Sequence, residues 1–216
     1  MKKLAFYGGT FDPVHRGHIT VAKRLVELFG LDEFVFLPAY HAPHKPDRRP
    51  ASAFHRFAML SLATLDEPRL TVSTLELDHG TKRYTVDTLP ELIETYRDAT
   101  LFFVMGADSW SEIRTWRKWE RMLLMTNHIV VTRPGYEIGF DHLTSAIRDR
   151  IVDLRNGSAL PVTSGDGLKI YIPDVVKLDV SATEIRDDIR EDERLDREDE
   201  VPPEVAKYIE KYELYR

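Results

Sequence analysis

One segment near the start of the chain constrains the fold more than any other. Residues 4–18 read LAFYGGTFDPVHRGH, an apolar run that ends in Gly-Gly-Thr and is followed by two histidines around a glycine. The apolar run predicts a buried strand, and the glycines allow the backbone to turn and to approach a ligand closely. A helix that begins near His18 would direct its unpaired N–H groups toward the same point. The segment therefore predicts a strand, a turn and a helix that together bind an anion.

The composition limits the classes of protein to which this chain can belong. Its 216 residues, 43% of them hydrophobic, match one globular domain, and we expect a single domain over residues 1–216. No apolar run is long enough to span a bilayer and no signal peptide is evident, so we expect a cytoplasmic protein. The absence of cysteine excludes disulfides and cysteine-bound zinc. A net charge of −6 argues against a general nucleic-acid-binding protein.

Apolar runs that favour strands alternate with segments of helical spacing. The predicted strands are Leu4–Tyr7, Phe34–Leu37, Leu70–Leu77, Leu101–Met105, His128–Thr132 and Lys169–Ile172. The predicted helices are His18–Phe29, Ser52 to Leu65, a helix after Tyr84 that buries Tyr96 and holds Pro90 in its first turn, and a helix from Pro203. Over 134–167 we expect loops around one helix. This alternation predicts an α/β fold with a doubly wound, mainly parallel sheet, helices on both faces and a small helical part at about 180–216.

Several segments with chemically active side chains follow the predicted strands. They are Gly8–Thr10, Pro38–Lys45, Gly106–Ser109 and Arg133-Pro134-Gly135. In a parallel sheet of this kind, ligands bind beyond the carboxyl ends of the strands, where the strand order reverses. We therefore expect these four segments to converge on one cleft.

The histidines of the first segment are suited to phosphate chemistry. At a helix start, the imidazoles of His15 and His18 can donate hydrogen bonds to phosphate oxygens. A His-x-Gly-His pattern alone is weak, because histidine pairs are common in cores and on surfaces. Its position directly after a strand and a glycine turn makes the phosphate interpretation strong.

The run GGTFDPVHRGH resembles the signature of the nucleotidyltransferases that share a Rossmann-like sheet with class I aminoacyl-tRNA synthetases. More closely, the chain resembles the bacterial nicotinate-nucleotide adenylyltransferases. Further segments match that family in its order along the chain: APHKP at 42–46, RYTVDTL at 83–89, FVMGADS at 103–109, TWRKWERML at 115–123, VVTRPGY at 130–136, VSATEIR at 180–186 and VPPEVAKYIEKYELYR at 201–216. The resemblance implies transfer of AMP from ATP to nicotinate mononucleotide, which forms nicotinate adenine dinucleotide and pyrophosphate in NAD biosynthesis.

The resemblance also implies a catalytic set and an ATP site. The catalytic set comprises His18, His15 and Thr10, which would surround the α-phosphate, and Lys45, which would reach the phosphates. The ATP-binding residues are Gly8, Gly9, Thr10, His15, His18, Gly106, Asp108, Ser181, Thr183 and Arg186. Because the attacking phosphate monoester is largely ionised near neutral pH, the reaction requires alignment and charge stabilisation rather than a general base.

The implied mononucleotide site lies on another part of the chain. Its residues are His44, Lys45, Thr85, Trp116, Arg117 and Arg133, with Trp116 stacked on the pyridine ring. We expect Trp110 and Trp119 to be packing residues. Mg²⁺ is the expected cofactor and would bind through the ATP phosphates, so no protein ligand to a metal is assigned. The expected partners are ATP and nicotinate mononucleotide, with no nucleic acid and no membrane; a homo-oligomer stays open.

Two departures from the family pattern keep other substrates open. Ala39-Tyr40 occupies the place of an asparagine-rich turn, and Arg117 stands where an aromatic residue is common. The alternatives are adenylyl transfer to nicotinamide mononucleotide or to phosphopantetheine. A nucleotide-binding sensor without catalysis is a further alternative, disfavoured because the set around His15 and His18 is intact. A synthetase fragment is disfavoured because the chain lacks a basic RNA-binding surface.

Overall fold

The strands form a parallel sheet whose order reverses beside the first strand. The computed structural model describes residues 1–41, 50–132, 136–157, 160, 167–175, 180–192 and 200–216. Within these ranges the strands are β1 Lys2–Gly9, β2 Glu33–Pro38, β3 Leu70–Val72, β4 Ala99–Gly106, β5 Asn127–Val131, β6 Ile151–Asp153 and β7 Ile170–Ile172. Their order is β3-β2-β1-β4-β5-β7-β6, and every pairing is parallel. The switch point of this sheet therefore lies between β1 and β4.

Helices cover both faces of the sheet. They are α1 Arg16–Phe29, α2 Ala53–Ala63, α3 Leu75–Asp78, α4 Thr85–Thr95, α5 Ala107–Ser111, α6 Trp119–Leu123, α7 Ser145–Arg148, α8 Ala182–Asp192 and α9 Pro203–Lys211, with a short 3-10 turn at Ile113–Thr115. Buried side chains of α1, α2, α8 and α9 form one core with alternate strand residues such as Phe34 and Phe36. Those of α4 to α7 form a second core with the intervening residues, such as Val35 and Leu37. The predicted doubly wound α/β fold, which is Rossmann-like, is thus confirmed.

Local signals set the ends of the first two helices. Gly30 ends α1 in the left-handed conformation at φ 59°, as its position predicts. The Ser52 side chain accepts a hydrogen bond from the His55 N–H and caps α2, also as predicted. The prediction for the end of α2 is wrong, because the helix ends at Ala63 and Leu65 is exposed.

Three other predictions about the elements need correction. The strand over Leu70–Leu77 is too long: β3 ends at Val72, and α3 follows a turn in which the Ser73 hydroxyl accepts from the Leu75 N–H. Residues 151–153 form β6, an edge strand in a segment where only loops and one helix were expected. Pro90 lies in the second turn of α4 rather than the first, and Tyr96 is partly exposed beyond the helix end.

No helix in the described ranges combines the length and apolar character needed to cross a bilayer.

Candidate active site

A cleft of about 1020 Å³ opens at the carboxyl ends of β1 and β4, where the strand order reverses. Most of the predicted site residues line it: Gly8, Gly9, Thr10, His15, His18, Thr85, Gly106, Asp108, Trp116, Arg117, Ser181, Thr183 and Arg186. Three predicted site residues, His44, Lys45 and Arg133, lie outside the described residues. The segments after β1 and β4 thus meet as expected, joined by the starts of α4 and α8.

The two histidines are held together at the start of α1. His15 is the N-cap residue, and its backbone N–H donates to Nδ1 of His18 at 3.2 Å. Because Nδ1 accepts this bond, the neutral His18 ring carries its proton on Nε2. The two ring centroids are 3.7 Å apart. In this tautomer Nε2–H is the donor of the His18 ring.

The glycines of this segment provide space rather than an unusual backbone conformation. A Cβ on Gly17 would lie 2.9 Å from Nδ1 of His15, and a Cβ on Gly8 would lie 2.9 Å from the Phe103 ring. Neither glycine has a positive φ; the residue in the left-handed region is Phe11, at φ 52°. The expectation that the Gly8-Gly9 pair makes the turn is thus corrected, because Phe11 adopts the strained conformation there.

Phe11 connects this turn to the histidines. Its ring contacts the edges or faces of Tyr7, His18 and Phe36, at centroid distances of 5.4, 5.1 and 5.4 Å. The Phe11 side chain is buried. Aromatic contacts of this kind fix ring orientation, so burial of Phe11 both stabilises the turn and holds the His18 imidazole in place.

A buried arginine, which sequence reasoning missed, joins the loops below the cleft. Arg56 is fully buried, and its guanidinium donates to the backbone carbonyls of Ala51 at 3.0 Å, Thr10 at 2.6 Å and Ala39 at 2.6 Å, with a longer bond of 3.3 Å to Tyr40. Burial lowers the pKa of Arg56, and the nearby Asp12 carboxylate opposes that change. Arg56 therefore connects the turn after β1 with both described ends of the loop after β2.

The start of α8 brings an arginine and two hydroxyls to the same cleft. Arg186 donates through Nη1 to the Asp12 carbonyl at 2.5 Å and through Nη2 to the Thr183 hydroxyl at 3.1 Å. Ser181 precedes the helix, and its carbonyl accepts from the Ile185 N–H. The arrangement places a guanidinium and the N-terminal end of an 11-residue helix beside the turn after β1.

The opposite side of the cleft carries aromatic and cationic groups. Lys82 and Arg117 both lie near the Tyr84 ring, at 5.4 and 5.1 Å from its centroid. Arg117 also lies 3.6 Å from an Asp87 carboxylate oxygen. Sequence reasoning missed Lys82, which lines the cleft with Trp116. These groups favour a planar, negatively charged ligand.

A carboxyl group also lines this side of the cleft. Glu76 accepts a hydrogen bond from the Thr88 hydroxyl at 3.0 Å, and burial raises its pKa. Nothing in the sequence distinguished Glu76 from the other acids of the chain. Across the described parts of the chain, no three histidine or acidic side chains are grouped as ligands for a metal ion.

The other tryptophans pack in the protein. Trp110 is fully buried and donates through Nε1 to the Gly139 carbonyl at 3.0 Å. Trp119 packs against the same core as α4 to α7. Both placements agree with the prediction that Trp110 and Trp119 are packing residues.

Comparisons with known proteins identify the family. The profile of the cytidylyltransferase-like family matches residues 6–188. A probable nicotinate-nucleotide adenylyltransferase of Mycolicibacterium vanbaalenii is 36% identical over 215 residues, which cover 100% of this chain and 92% of that protein. The protein of the same name from Corynebacterium glutamicum is 33% identical over 99% of this chain and 88% of its own length.

Solved structures share the fold. Nicotinic acid mononucleotide adenylyltransferase of Plasmodium falciparum complexed with APC superposes with a TM-score of 0.74 at 22% identity, over 100% of this chain and 98% of that one. The same enzyme complexed with NaAD gives a TM-score of 0.73. The match of the family profile and the full-length relatives together place this chain in the cytidylyltransferase-like family and, within it, among the nicotinate-nucleotide adenylyltransferases.

Proposed function

We propose that the chain transfers the adenylyl group of ATP to nicotinate mononucleotide, forming nicotinate adenine dinucleotide and pyrophosphate in the synthesis of NAD. The observation that carries this proposal is the cleft at the switch point, which combines the two histidines with Arg186 on one side and Trp116 with two cations on the other. The names of the full-length relatives support the same activity.

The reaction joins a phosphate oxygen of the mononucleotide to the α-phosphorus of ATP while the bond to the bridging oxygen of pyrophosphate breaks. The attacking phosphate is largely ionised near neutral pH, so no side chain has to remove a proton. His18 would donate its Nε2–H to a nonbridging oxygen of the α-phosphate, where charge increases in the transition state. A preorganised donor of this kind lowers the barrier by about 3 kcal/mol.

The start of α8 would hold the rest of the triphosphate. Arg186 is a planar, permanently charged donor, and the Thr183 hydroxyl lies within hydrogen-bond distance of it. Both groups lie beside the turn that contains Thr10. We assign the β- and γ-phosphates to this corner of the cleft, where stabilisation of the leaving pyrophosphate also favours the reaction.

Mg²⁺ would enter with ATP and neutralise part of the triphosphate charge. The hydroxyl, imidazole and guanidinium donors near Thr10, His18 and Arg186 fit a metal–polyphosphate complex rather than a bare cation. We therefore assign its ligands to phosphate oxygens and water. The chain's own residues bind and orient the phosphates.

The side of the cleft near α4 would bind the mononucleotide. Trp116 can stack on the pyridine ring, and the Thr85 hydroxyl at the first turn of α4 can hydrogen-bond to the carboxylate. Lys82 and Arg117 add positive charge near Tyr84, which favours nicotinate over the neutral nicotinamide. His44, Lys45 and Arg133 complete the proposed mononucleotide set, and Lys45 is also assigned to the phosphates.

The test is pyrophosphate release from ATP and Mg²⁺ with nicotinate mononucleotide, nicotinamide mononucleotide and phosphopantetheine offered at equal concentrations. We expect the highest kcat/KM with nicotinate mononucleotide. His18→Ala should lose turnover by a factor of about 10² to 10³, while His79→Ala, which changes an exposed histidine paired with Glu91, should not. A higher kcat/KM with nicotinamide mononucleotide would show that this nucleotide is the substrate instead. No turnover with any acceptor would refute the proposal.

A further inference from the structure

A tyrosine far along the chain reaches the turn after β1. The Tyr215 hydroxyl donates to Oδ1 of Asp12 at 2.8 Å, although 203 residues separate them in sequence. The Ala51 N–H donates to the same oxygen at 3.1 Å. Asp12 is 7% exposed. Burial and the Asp12 charge raise the pKa of Tyr215, so its hydroxyl keeps its proton and remains a donor at any physiological pH.

The backbone after α9 turns so that the Tyr215 side chain lies against Asp12. Glu213 and Tyr215 both adopt positive φ values, 51° and 71°. The Leu214 N–H donates to the Ile209 carbonyl at 3.0 Å, which turns the chain back along α9. Leu214 and Tyr215 pack against the core that contains α1 and α2. Two strained residues in three indicate that the placement of Tyr215 is held by packing and by the bond to Asp12.

Asp12 also faces Arg186, which belongs to the proposed triphosphate corner. The second carboxylate oxygen, Oδ2, lies 3.9 Å from Nη1 of Arg186, while that nitrogen donates to the Asp12 backbone carbonyl at 2.5 Å. The ion pair between Asp12 and Arg186 is thus long, and hydrogen bonds to Oδ1 hold the carboxylate in this orientation. A carboxylate free to rotate could form a short pair with the guanidinium and compete with a phosphate for it.

We propose that Tyr215 is a positioning residue for ATP: its hydroxyl holds the Asp12 carboxylate back from Arg186 and so leaves the guanidinium available to the triphosphate. Tyr215 itself touches no reacting atom. The inference rests on the assignment of Arg186 to the triphosphate under the proposed function. It adds that the segment after α9 tunes ATP affinity through a single hydrogen bond.

The experiment measures ATP affinity directly, in the full chain and without an acceptor, by calorimetry with ATP and Mg²⁺. Tyr215→Phe should weaken ATP binding about five- to tenfold, the size expected for the net contribution of one hydrogen bond. The Kd for nicotinate mononucleotide should change less than about twofold. Because this readout needs no turnover, it separates a failure of the positioning role from a failure of the proposed reaction.

Tyr208→Phe is the matched control. The Tyr208 hydroxyl lies 2.9 Å from Nδ1 of His55 and joins α9 to α2, but it does not touch Asp12. Both variants lose one tyrosine hydroxyl contact from the same part of the chain. We expect similar small shifts in Tm and a change in ATP affinity for Tyr215→Phe alone. Equal effects of the two variants on ATP binding, or an unchanged Kd for Tyr215→Phe, would overturn the proposal.

A double-mutant cycle identifies the group through which Tyr215 acts. Asp12→Asn removes the charge that competes for Arg186 while it keeps an oxygen that can accept from Tyr215. In that background, Tyr215→Phe should leave the ATP Kd within about twofold. If the full five- to tenfold effect persists, the tyrosine does not act through the Asp12 carboxylate, and the mechanism is wrong. Thermal melts of all four proteins accompany the binding data.

Discussion

Replacement of Arg56 by lysine tests whether a planar guanidinium, rather than a buried positive charge, holds the cleft together. Lysine keeps the charge, but its compact ammonium cannot span carbonyls that belong to separate loops. The four bonds of Arg56 go to Ala51, Thr10, Ala39 and Tyr40. Each bond from a charged donor contributes about 1.5 to 3 kcal/mol. If lysine retains two of them, the loss is about 4 kcal/mol.

The expected loss can be read in both stability and activity. For a chain of this length, about 4 kcal/mol corresponds to a fall in Tm of roughly 8 to 16 °C. Activity is assayed at 20 °C, where circular dichroism must first establish that the variant is folded. In the folded variant, the loops that contain Thr10 and Ala39 no longer share the hydrogen bonds of Arg56. We expect KM for both substrates to rise and kcat to fall by about tenfold or more, because a small misplacement of the reacting groups is enough to slow the reaction.

Arg150→Lys is the matched control for this prediction. Arg150 donates to the carbonyls of Leu168 at 2.7 Å, Thr126 at 2.8 Å and Leu123, so it too is an arginine that joins loops. These carbonyls lie before β5 and β7, at the amino ends of the strands, whereas the cleft opens at the carboxyl ends. Arg150→Lys should lower Tm and leave KM for ATP and for the mononucleotide unchanged. Unchanged Tm and KM values in Arg56→Lys, or an equal change of KM in Arg150→Lys, would refute the bridging role of Arg56.

Three further substitutions test separate parts of the structure. Gly17→Ala places a Cβ 2.9 Å from the His15 imidazole, so kcat should fall about tenfold or more, whereas Gly139→Ala, which meets nothing within 4 Å, should leave kcat unchanged in the same assay. Burial lowers the pKa of His128 to about 3, so the unfolded chain takes up the proton first as pH falls from 6.5 to 3. Between pH 7 and 4.5 this titration should lower the free energy of unfolding by about 2.5 kcal/mol. In His128→Leu, the fall in the free energy of unfolding over the same pH range, measured by urea unfolding, should be smaller by that amount. Trp116→Ala should raise KM for the mononucleotide about tenfold through lost stacking; a lower Tm with unchanged KM would instead make Trp116 a packing residue.

The sequence predicted the parts of this fold that local chemistry determines. Gly30 ends α1 and Ser52 caps α2 because each acts on backbone groups within a few residues. The edge strand β6 could not be found in this way, since three residues have no periodicity and depend on pairing with β7. The end of β3 was misplaced for a related reason: an apolar run over 70–77 is compatible with a strand or with the short helix that tertiary contacts select.

In the candidate site too, some residues could be predicted from local sequence and others could not. The glycines at the end of β1 and the histidines after it could be predicted, because their types and spacing are characteristic of a phosphate-binding turn. Arg56 could not, since its partners are backbone carbonyls, which every residue has. One signal was present: Ala53, Arg56, Met59 and Leu60 share the buried face of α2, and a charged residue on an apolar face requires partners. The sequence could not tell which loops would supply them.

Asp12 lines the cleft, so nearby donors have to balance its negative charge if the cleft is to bind a polyanion. A carboxylate near a triphosphate would oppose binding if it faced the cleft alone. Here it lies between the Tyr215 hydroxyl and two guanidiniums, those of Arg56 and Arg186. Asp12 thus offsets the cost of burying Arg56, while the bond from Tyr215 keeps it from neutralising Arg186. Because the fixed positive charge near Thr10 depends on this balance, loss of the carboxylate should destabilise the turn, whereas its release from Tyr215 should weaken the binding of ATP with only a small shift in Tm.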